Sequence, residues 1–413
     1  MLLVAVAARW HLPLAGPGME DLMTVSPEQV SRVHREAPMT DAHVHPSLKA
    51  YIFRRNLWRH WWSGGAFDPF SSRSDFEMLA KGEVGVIWSA IYVPEHPLFD
   101  RCVLLKAAAH LVSPVARKLT SGSYFERAIA MMDAMEGEIR RKPSWTGLAR
   151  SPADVKDLTA QGMIAVVHTV EGGHVLEGRI ENLEELHRRG VAVLTLTHFY
   201  PNGIADPVDA IPKNMWIRNI CTKLGPPDPV PPGLSDFGKE VLRRMKELGM
   251  IVDVTHCTPG ARAEVYAELG TDVPIVASHV GADELHPTVY NLKRHEIEHI
   301  AASGGAVGII FMNYWLGHLE ADPVNLEADP VNLDAGLGNI WLTAKYIHDV
   351  TGSWDHVMLG TDFDGFTDPP DDLRDSSQMP RVTEMLLRKG VSEEDVKRII
   401  GGNAQRVLDL GWR

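Results

Sequence analysis

Histidines and carboxylates end several apolar runs of this chain, and these residue types can bind metal ions. The segment DAHVH places His43 and His45 two residues apart, and HTVEGGH contains Glu171. The other residues of this kind are His198 in LTLTH, His256 in VDVTH, His279 in VASH and Asp362 in LGTDFDG. Imidazole nitrogens and carboxylate oxygens are common ligands of zinc and of neighbouring transition metals. The pattern predicts a metal centre assembled from distant parts of the chain.

The spacing of these residues suggests how they divide between two ions. Side chains two residues apart on an extended segment project to the same side, so we expect His43 and His45 to bind one ion. We expect His256 and His279 to bind a second ion, with Glu171 as the bridge between them. Two ions about 3.5–4 Å apart can lower the pKa of a shared water to near neutral. Such a water is a nucleophile for hydrolysis.

Two further residues of the set are assigned to proton transfer and to substrate binding. We expect Asp362 to accept a proton from the water and to pass it to the leaving group. His198 exceeds the five ligands, and we expect it to polarise the scissile carbonyl or to stabilise the oxyanion. His174, Asp41 and Asp253 are equally consistent with hydrogen bonds that support the ligands or the core.

A single histidine at the end of a strand usually has a structural role, so the grouping matters more than any one residue. Six strand ends deliver His, Glu or Asp in this chain. Polar groups crowded together at the mouth of a barrel need a partner that offsets the cost of removing them from water. A metal ion is such a partner.

The elements that must position these residues alternate in type along the chain. Short apolar runs separated by stretches of helical spacing are typical of buried parallel strands covered by helices. There are eight such runs: Pro38 to His43, Val84 to Val93, Met163 to His168, Val191 to Thr197, Met250 to Val254, Pro274 to Ser278, Ala306 to Phe311 and His356 to Gly360. Closing eight strands into a barrel removes exposed sheet edges. The sequence predicts an α/β fold, a (β/α)₈ TIM barrel with the metal site at the C-terminal ends of the strands.

The clearest helix is predicted at Asp236 to Leu248. It has an apolar stripe on one side and charged residues on the other. Ser235 is expected to cap its start and Gly249 to end it. The segment MIVDVTH that follows has a buried strand pattern, so the order of helix and then strand agrees with a barrel.

The predicted organisation is one barrel domain at residues 37–413, after an N-terminal extension and lead-in helix at residues 1–36. A mostly helical excursion is expected near residues 95–150. The heptapeptide LEADPVN occurs twice in tandem at residues 319–332. Because each copy contains a proline, the repeat cannot form a continuous helix, and a duplicated surface loop is expected.

Composition restricts the partners and the location. The formal net charge of −13 repels a phosphate backbone, so no nucleic acid is expected as a partner. No apolar run is long enough for a membrane span. Three widely spaced cysteines favour a reducing compartment, and a cytoplasmic location is expected. A signal peptide at residues 1–17 is the alternative, because the chain starts with a short apolar run.

These residues and motifs resemble the renal (membrane) dipeptidases, which are zinc enzymes of the amidohydrolase type. The resemblance covers residues 41–408. It rests on KGEVGVIWSAIYVP at 81–94, VEGGH at 170–174, LTLTH at 194–198, GLSDFGKEVLRRMKELGMIVDVTH at 233–256, SH at 278–279, GTDFDG at 360–365 and GGNAQRVL at 401–408. Together these motifs are highly specific.

The resemblance implies a (β/α)₈ fold, two zinc ions and hydrolysis of dipeptides, with a D-residue tolerated at the carboxyl end in many members. It also implies a homodimer. Carried over residue by residue, it assigns metal binding to His43, Glu171, His256 and His279. It assigns substrate binding and proton transfer to His198 and Asp362, in agreement with the roles inferred from the residues themselves.

The chain departs from the family pattern at two positions. His45 stands where the family usually has an aspartate, so the site has one negative charge fewer. Tyr290 stands where the family has an arginine that binds the substrate carboxylate, and a tyrosine cannot replace a bidentate cation. Arg294 is either a compensating substrate-binding residue or an exposed helix residue.

The sequence is therefore consistent with three functions. The first is a zinc dipeptidase. The second, suggested by Tyr290, is a hydrolase of another small amide, ester or lactone. The third, suggested by His45, is a catalytically silent metal-binding protein. The presence of four residues argues against it: Glu171, His256, His279 and Asp362.

Overall fold

The computed structural model describes residues 25–61, 71–112, 114–213, 215–226, 233–317 and 335–413. Within these residues, nine strands form one parallel sheet. They are β1 Met39–Val44, β2 Val84–Tyr92, β3 Thr146–Ala149, β4 Ile164–Glu171, β5 Val191–Thr195, β6 Ile251–Asp253, β7 Ile275–Val280, β8 Ala306–Ile309 and β9 Val357–Leu359.

Eight of the strands follow one another in the order β1, β2, β4, β5, β6, β7, β8, β9, and β3 pairs with β4. The two ends of this series meet, because Asp362 N donates to His43 O at 2.9 Å and His45 N donates to Phe363 O at 2.9 Å. The fold is therefore a (β/α)₈ barrel, as the sequence predicted.

Helices connect the strands and cover the barrel. The α-helices of the described residues are α1 Pro27–Glu36, α2 Pro46–Ile52, α3 Phe76–Lys81, α4 His96–Asp100, α5 Val103–Val112, α6 Pro114–Lys118, α7 Tyr124–Arg141, α8 Pro152–Ala160, α9 Ile180–Arg188, α10 Trp216–Ile220, α11 Asp236–Leu248, α12 Pro259–Leu269, α13 Arg294–Ala302, α14 Asn313–Leu316, α15 Ala335–Thr351, α16 Pro380–Arg388, α17 Glu393–Lys397 and α18 Asn403–Gly411. In the largest core cluster, strand residues such as Ile91 and Val170 join helix residues such as Met131 and Met245.

The helix predicted at residues 236–248 is α11, with the predicted bounds. The Ser235 side chain accepts a hydrogen bond from Gly238 N at 2.9 Å and caps the first turn. Gly249 ends the helix with φ of +72°, a left-handed conformation that glycine adopts without a steric penalty. Strand β6 follows directly, as its apolar pattern predicted.

The prediction of eight strands omitted β3, which lies inside the expected helical excursion. Its sequence TGLA is too short and too weakly apolar to be recognised as a strand. The rest of the excursion is helical, from α4 to α7. The duplicated LEADPVN segment and residues 1–17 lie outside the described residues.

A disulfide joins Cys102, between α4 and α5, to Cys221, directly after α10. Cys257 is buried with a free thiol. Disulfides persist mainly in oxidising compartments, so this pairing gives no support to the reducing compartment that the cysteine count favoured. The cytoplasmic location stays a prediction. In the part of the chain that the structure describes, no helix is long and apolar enough to cross a membrane.

Candidate metal centre

The seven residues predicted to bind metal, to transfer a proton or to polarise the substrate carbonyl lie together at the C-terminal ends of the strands. Each of them is buried. Within the strands are His43 on β1, Glu171 on β4 and His279 on β7, and shortly after strands come His45 after β1, His198 after β5, His256 after β6 and Asp362 after β9. The barrel therefore brings together residues that are up to about three hundred positions apart in sequence.

Glu171 is at the centre of this cluster. Its Oε1 atom lies 3.3 Å from His43 Nε2, 3.2 Å from His256 Nε2 and 3.3 Å from His279 Nε2. Its Oε2 atom lies 3.5 Å from His45 Nε2 and 3.7 Å from His198 Nε2. One carboxylate thus faces five imidazole rings, a position suited to the predicted bridge.

Electrostatics keeps this central carboxylate ionised. Burial alone would raise the pKa of Glu171, but the neighbouring imidazoles, first His198 and then His43, and the hydrogen bonds with His256 and His279 hold it well below its usual range. In contrast, burial lowers the pKa of His43 and of His256, which favours the neutral ring. A neutral imidazole has a free lone pair, as a metal ligand requires.

The cluster fits metal ions better than it fits hydrogen bonds alone. The Nε2 atoms of His43 and His45 are 3.0 Å apart, and the Nδ1 atom of buried His45 has no hydrogen-bond partner among the described residues. Ligand atoms lie within 4.8 Å of one another in three groups: His43 with Glu171 and His279, His43 with His45 and Asp362, and Glu171 with His198 and His256. The groups share His43 and Glu171, so they can hold two adjacent ions.

Asp362 lies at the edge of this cluster. Its Oδ1 atom is 3.1 Å from His45 Nε2, and its side chain is 12% exposed, compared with 2% for Glu171. Burial would raise the pKa of Asp362, but the contact with His45 and the charge of His279 lower it. An ionised carboxylate with access to solvent can accept a proton, and it can also bind an ion beside His45.

Two cluster residues have a strained backbone. His256 has φ of +67° and Asp362 has φ of +59°, although neither is glycine. Non-glycine residues in this region cost on the order of 1–3 kcal/mol each and concentrate at functional sites. Each residue lies three positions beyond the end of a short strand, β6 or β9, and its side chain belongs to the cluster.

Ser278 and Asp253 hold the rings of two predicted ligands. Ser278 Oγ lies 3.1 Å from His43 Nδ1 and 2.8 Å from His279 Nδ1, and it donates to Asp253 Oδ2 at 2.6 Å. Gly360 approaches Ser278 so closely that a Cβ there would overlap the Ser278 carbonyl oxygen. From the sequence, Asp253 is equally consistent with a hydrogen bond that supports a ligand and with one in the core. The sequence does not indicate Ser278, because serine is not a usual metal ligand.

The other two open assignments also have hydrogen-bond partners. Asp41 accepts hydrogen bonds from Thr361 N at 3.0 Å and from Thr361 Oγ1 at 2.6 Å, which links β1 to the turn after β9. His174 Nε2 lies 2.8 Å from the carbonyl oxygen of Val93. Neither residue belongs to a group of possible metal ligands among the described residues.

Glu95, which sequence reasoning missed, contacts His198. Its Oε1 atom lies 3.3 Å from His198 Nδ1 and accepts a hydrogen bond from Phe199 N at 2.8 Å. Burial would raise the pKa of the Glu95 carboxyl, but the charge of His198 and the hydrogen bonds with His198 and Tyr92 lower it to about 2. Glu95 follows β2, so the rule that selected the other strand-end residues could have found it.

A cleft of about 490 Å³ adjoins this part of the site. It is lined by polar and aromatic side chains that include Glu95, Tyr124, His174, Glu177 and Tyr200. A volume of this size is in the range of clefts that bind small molecules.

The two residues considered for substrate carboxylate binding have different surroundings. Tyr290 is 2% exposed, stacks on Trp315 with ring centroids 4.4 Å apart, and donates its hydroxyl hydrogen to His279 O at 2.8 Å. It therefore supports a predicted ligand through the backbone. Arg294 begins α13 and pairs with Glu298 at 2.9 Å, with its side chain 60% exposed. This placement gives no support to a compensating role for Arg294.

Comparison with known proteins identifies relatives of this chain. Residues 27–410 match the family model described as membrane dipeptidase, peptidase family M19. The chain is 26% identical over 387 residues to the dipeptidase AclJ of Aspergillus oryzae, covering 92% of this chain and 79% of that protein. It is 28% identical over 379 residues to the dipeptidase AtaJ of Aspergillus terreus, covering 90% and 84%.

Solved structures share the fold. The probable dipeptidase PvdM from Pseudomonas aeruginosa superposes with a TM-score of 0.71 at 22% identity, covering 94% of this chain and 99% of that one. A metallopeptidase from Rhodobacter sphaeroides, bound to a phosphinate mimic of the dipeptide L-Ala-D-Ala, superposes with a TM-score of 0.70 at 20% identity, covering 91% and 99%.

Proposed function

The chain belongs to the membrane dipeptidase family, peptidase family M19, and from this membership and the geometry of the cluster we propose that it is a zinc dipeptidase with a binuclear centre. The observation that carries the proposal is the position of Glu171, whose two oxygens lie within 3.7 Å of five imidazole Nε2 atoms. A single carboxylate surrounded in this way is suited to bridge two ions.

The residues divide between two zinc sites. His43 and His45, with Asp362 beside them, would hold one ion, and His256 and His279 would hold the other. When bound, the two zinc ions would polarise the scissile carbonyl and lower the pKa of water toward neutrality. A donor set of imidazole nitrogens and carboxylate oxygens would suit zinc.

The remaining chemistry belongs to protein side chains. Asp362 accepts a proton at a carboxylate oxygen and returns it to the leaving amine, because it is ionised and its side chain is the more open of the two carboxylates. His198 directs Nε2 toward Glu171 at 3.7 Å, where it can bind the substrate carbonyl. Strand ends fix the positions of both residues.

The substrate is a dipeptide in this proposal, with a D-residue accepted at its carboxyl end. Two curated relatives are dipeptidases, and the metallopeptidase from Rhodobacter sphaeroides binds a mimic of L-Ala-D-Ala. The proposal extends this substrate class to the present chain. A homodimer is proposed by the same extension, and light scattering after gel filtration would measure it.

A second candidate is a hydrolase of another small amide, an ester or a lactone. Tyr290 favours it, because its buried hydroxyl is already bonded to His279 O and cannot supply a cation to a substrate carboxylate. Such a substrate would lack the free carboxylate that a dipeptide has. The metal centre and the role of Asp362 are the same in both candidates.

The test is a substrate panel on protein of measured metal content. We expect about two zinc ions per chain, as a binuclear centre requires. The panel contains L-L and L-D dipeptides, the same dipeptides with an amidated carboxyl end, N-acyl amino acids and lactones. Faster cleavage of free dipeptides than of amidated ones supports the dipeptidase.

Other outcomes of this panel decide between the alternatives. Cleavage of amidated peptides, N-acyl amino acids or lactones in preference to free dipeptides replaces the dipeptidase by the second candidate. Two bound zinc ions with no cleavage in the panel supports the catalytically silent protein. Full dipeptidase activity at a zinc content near zero contradicts the binuclear centre.

A further inference from the structure

Glu95 occupies a buried position between β2 and the metal centre. The residue is 2% exposed, and its carboxylate has three partners. Tyr92 donates its hydroxyl hydrogen to Oε2 at 2.7 Å, Phe199 donates its backbone N–H to Oε1 at 2.8 Å, and His198 places Nδ1 3.3 Å from Oε1. The carboxylate thus connects the end of β2 to the segment after β5.

These contacts place a proton on the ring nitrogen of His198 that faces Glu95. An ionised carboxylate offers only acceptor oxygens, so a hydrogen bond to Glu95 requires a proton on Nδ1. The opposite nitrogen, Nε2, then points toward Glu171, 3.7 Å from its Oε2 atom. The His198 ring lies between two aromatic rings, with centroids 4.1 Å from Tyr92 and 3.7 Å from Phe199.

We propose that Glu95 is a positioning residue that holds the Nδ1–H of His198 and so fixes the orientation of the ring, with Nε2 directed toward the reacting carbonyl. The proposal rests on the proposed function, because His198 is the group that binds the substrate there. A buried carboxylate that accepts the far N–H of a functional imidazole commonly sets the orientation of the ring.

A purely structural role for Glu95 would not need a charge. A glutamine at this position could accept the hydrogen bond from Phe199 N through its amide oxygen. Its amide NH₂ could donate to the hydroxyl of Tyr92, which is able to act as an acceptor. Glu95→Gln is therefore expected to fold, while the hold on the His198 ring weakens.

The experiment is a double-mutant cycle on zinc-loaded full-length protein, with the best dipeptide of the panel as substrate. We expect Glu95→Gln to lower kcat on the order of 10- to 100-fold, with a smaller change in KM, as the loss of an orienting partner typically does. The same change in a His198→Gln background is expected to cause no further loss, because the two residues act as one unit. Glu138→Gln, another buried carboxylate, is the matched control and should retain activity.

Ring nitrogen NMR on protein labelled with ¹⁵N-histidine gives a readout that does not depend on activity. We expect one Nδ1–H signal that disappears in His198→Gln and shifts in Glu95→Gln. This readout stays decisive even if the wild-type protein cleaves no member of the panel, an outcome that would refute the proposed function alone.

The proposal is overturned if the Nδ1 atom of His198 carries no proton in the wild-type protein. It is also overturned if Glu95→Gln keeps full kcat, or lowers kcat equally with and without His198. If Glu95→Gln fails to fold, Tyr92→Phe repeats the cycle by removing one anchor of the carboxylate while keeping the ring. A loss that disappears in the His198→Gln background then supports the proposal, and an equal loss in both backgrounds refutes it.

Discussion

The Nε2 atoms of His256 and His279 lie 3.1 Å apart, and both lie within 3.3 Å of Glu171 Oε1. Two facing imidazole nitrogens at this distance can share one proton in a hydrogen bond, or they can direct both lone pairs at one cation. Because burial lowers the pKa of His256, its neutral form is favoured and its lone pair is available to a metal. The pair is thus arranged as two ligands of one ion.

Removal of metal should therefore abolish activity and lower the melting temperature. Metal bound only to the folded state stabilises it by about 2.7 kcal/mol at a concentration one hundred times the Kd. We expect 1,10-phenanthroline to remove both zinc and activity, and added zinc to restore them. Metal analysis and differential scanning fluorimetry measure the two effects. The isomer 1,7-phenanthroline, which cannot chelate, is the control, and unchanged activity in metal-free protein would contradict the prediction.

Asp362→Asn should fold and retain zinc but lose most of its turnover. The amide keeps the shape of the side chain and cannot accept the proton, a function worth about 10²- to 10⁴-fold in rate. Steady-state kinetics and metal analysis on the same sample measure the effect. Asp368→Asn, an exposed change in the same loop, is the control. Undiminished kcat in Asp362→Asn would show that another group transfers the proton.

Much of this site follows from sequence, because a parallel barrel brings the ends of its strands to one face. His43, Glu171 and Asp362 could be selected by this rule without knowledge of their distances. The same rule extends to Glu95, but a glutamate three residues beyond a strand and directly before a helix has the appearance of a helix start. Its contact with His198 depends on the path of the chain after β5, which no local pattern determines.

The disulfide, strand β3 and the exposure of Arg294 also depend on tertiary packing, so no local sequence pattern predicts them. The disulfide joins Cys102 to Cys221, which are 119 residues apart, and only the packing of α4 and α5 against α10 brings them together. Strand β3 has four residues, so its pairing with β4 rather than its sequence makes it a strand. Spacing alone suggests Arg294 for the pocket, but its side chain at the start of α13 is exposed to solvent.

His45→Asp should increase the affinity for zinc and decrease the stability of the metal-free protein. The change restores the anionic ligand that the family resemblance implies at this position. Without metal, a third carboxylate would stand beside Glu171 and Asp362, which already lie 3.5 and 3.1 Å from His45 Nε2, and like charges would repel. With zinc, the added charge is neutralised.

Two measurements test the His45 prediction. Competition with a zinc chelator gives the Kd, and melting curves with and without zinc give the stability of each form. We expect a larger zinc-dependent rise in Tm for His45→Asp than for the wild-type protein. His295→Asp, the same charge change at an exposed position in α13, is the control. An unchanged or smaller rise would mean that position 45 does not bind the ion.

Arg294→Ala should leave KM unchanged for substrates that carry a carboxylate. The guanidinium is exposed and pairs with Glu298 one helical turn away, and such surface pairs contribute little to stability. Glu298→Ala removes the same pair from the other side and is the control. A KM that rises for free dipeptides and stays constant for amidated ones, in Arg294→Ala only, would restore Arg294 as a substrate-binding residue.

The disulfide between Cys102 and Cys221 should stabilise the fold and hold the helical excursion beside the site. The two cysteines are 119 positions apart in sequence. Closing a loop of this size lowers the entropy of the unfolded chain, which in the chain-entropy treatment adds about 4–5 kcal/mol to the free energy of unfolding. We expect the double variant Cys102→Ser/Cys221→Ser to have a lower free energy of unfolding in urea. Cys257→Ala, which leaves the disulfide intact, is the control.

Thiol titration of the denatured protein tests the disulfide itself. One thiol per chain, that of Cys257, is expected before reduction and three after it, because Cys102 and Cys221 are paired. Activity gives a second readout. Glu95 lies on the segment that contains Cys102, and Tyr200 lies on the segment that contains Cys221. Both residues line the same cleft. Loosening these segments should raise KM more than it lowers kcat. Three reactive thiols before reduction, with stability equal to that of the double variant, would show that the cysteines are not paired in the purified protein.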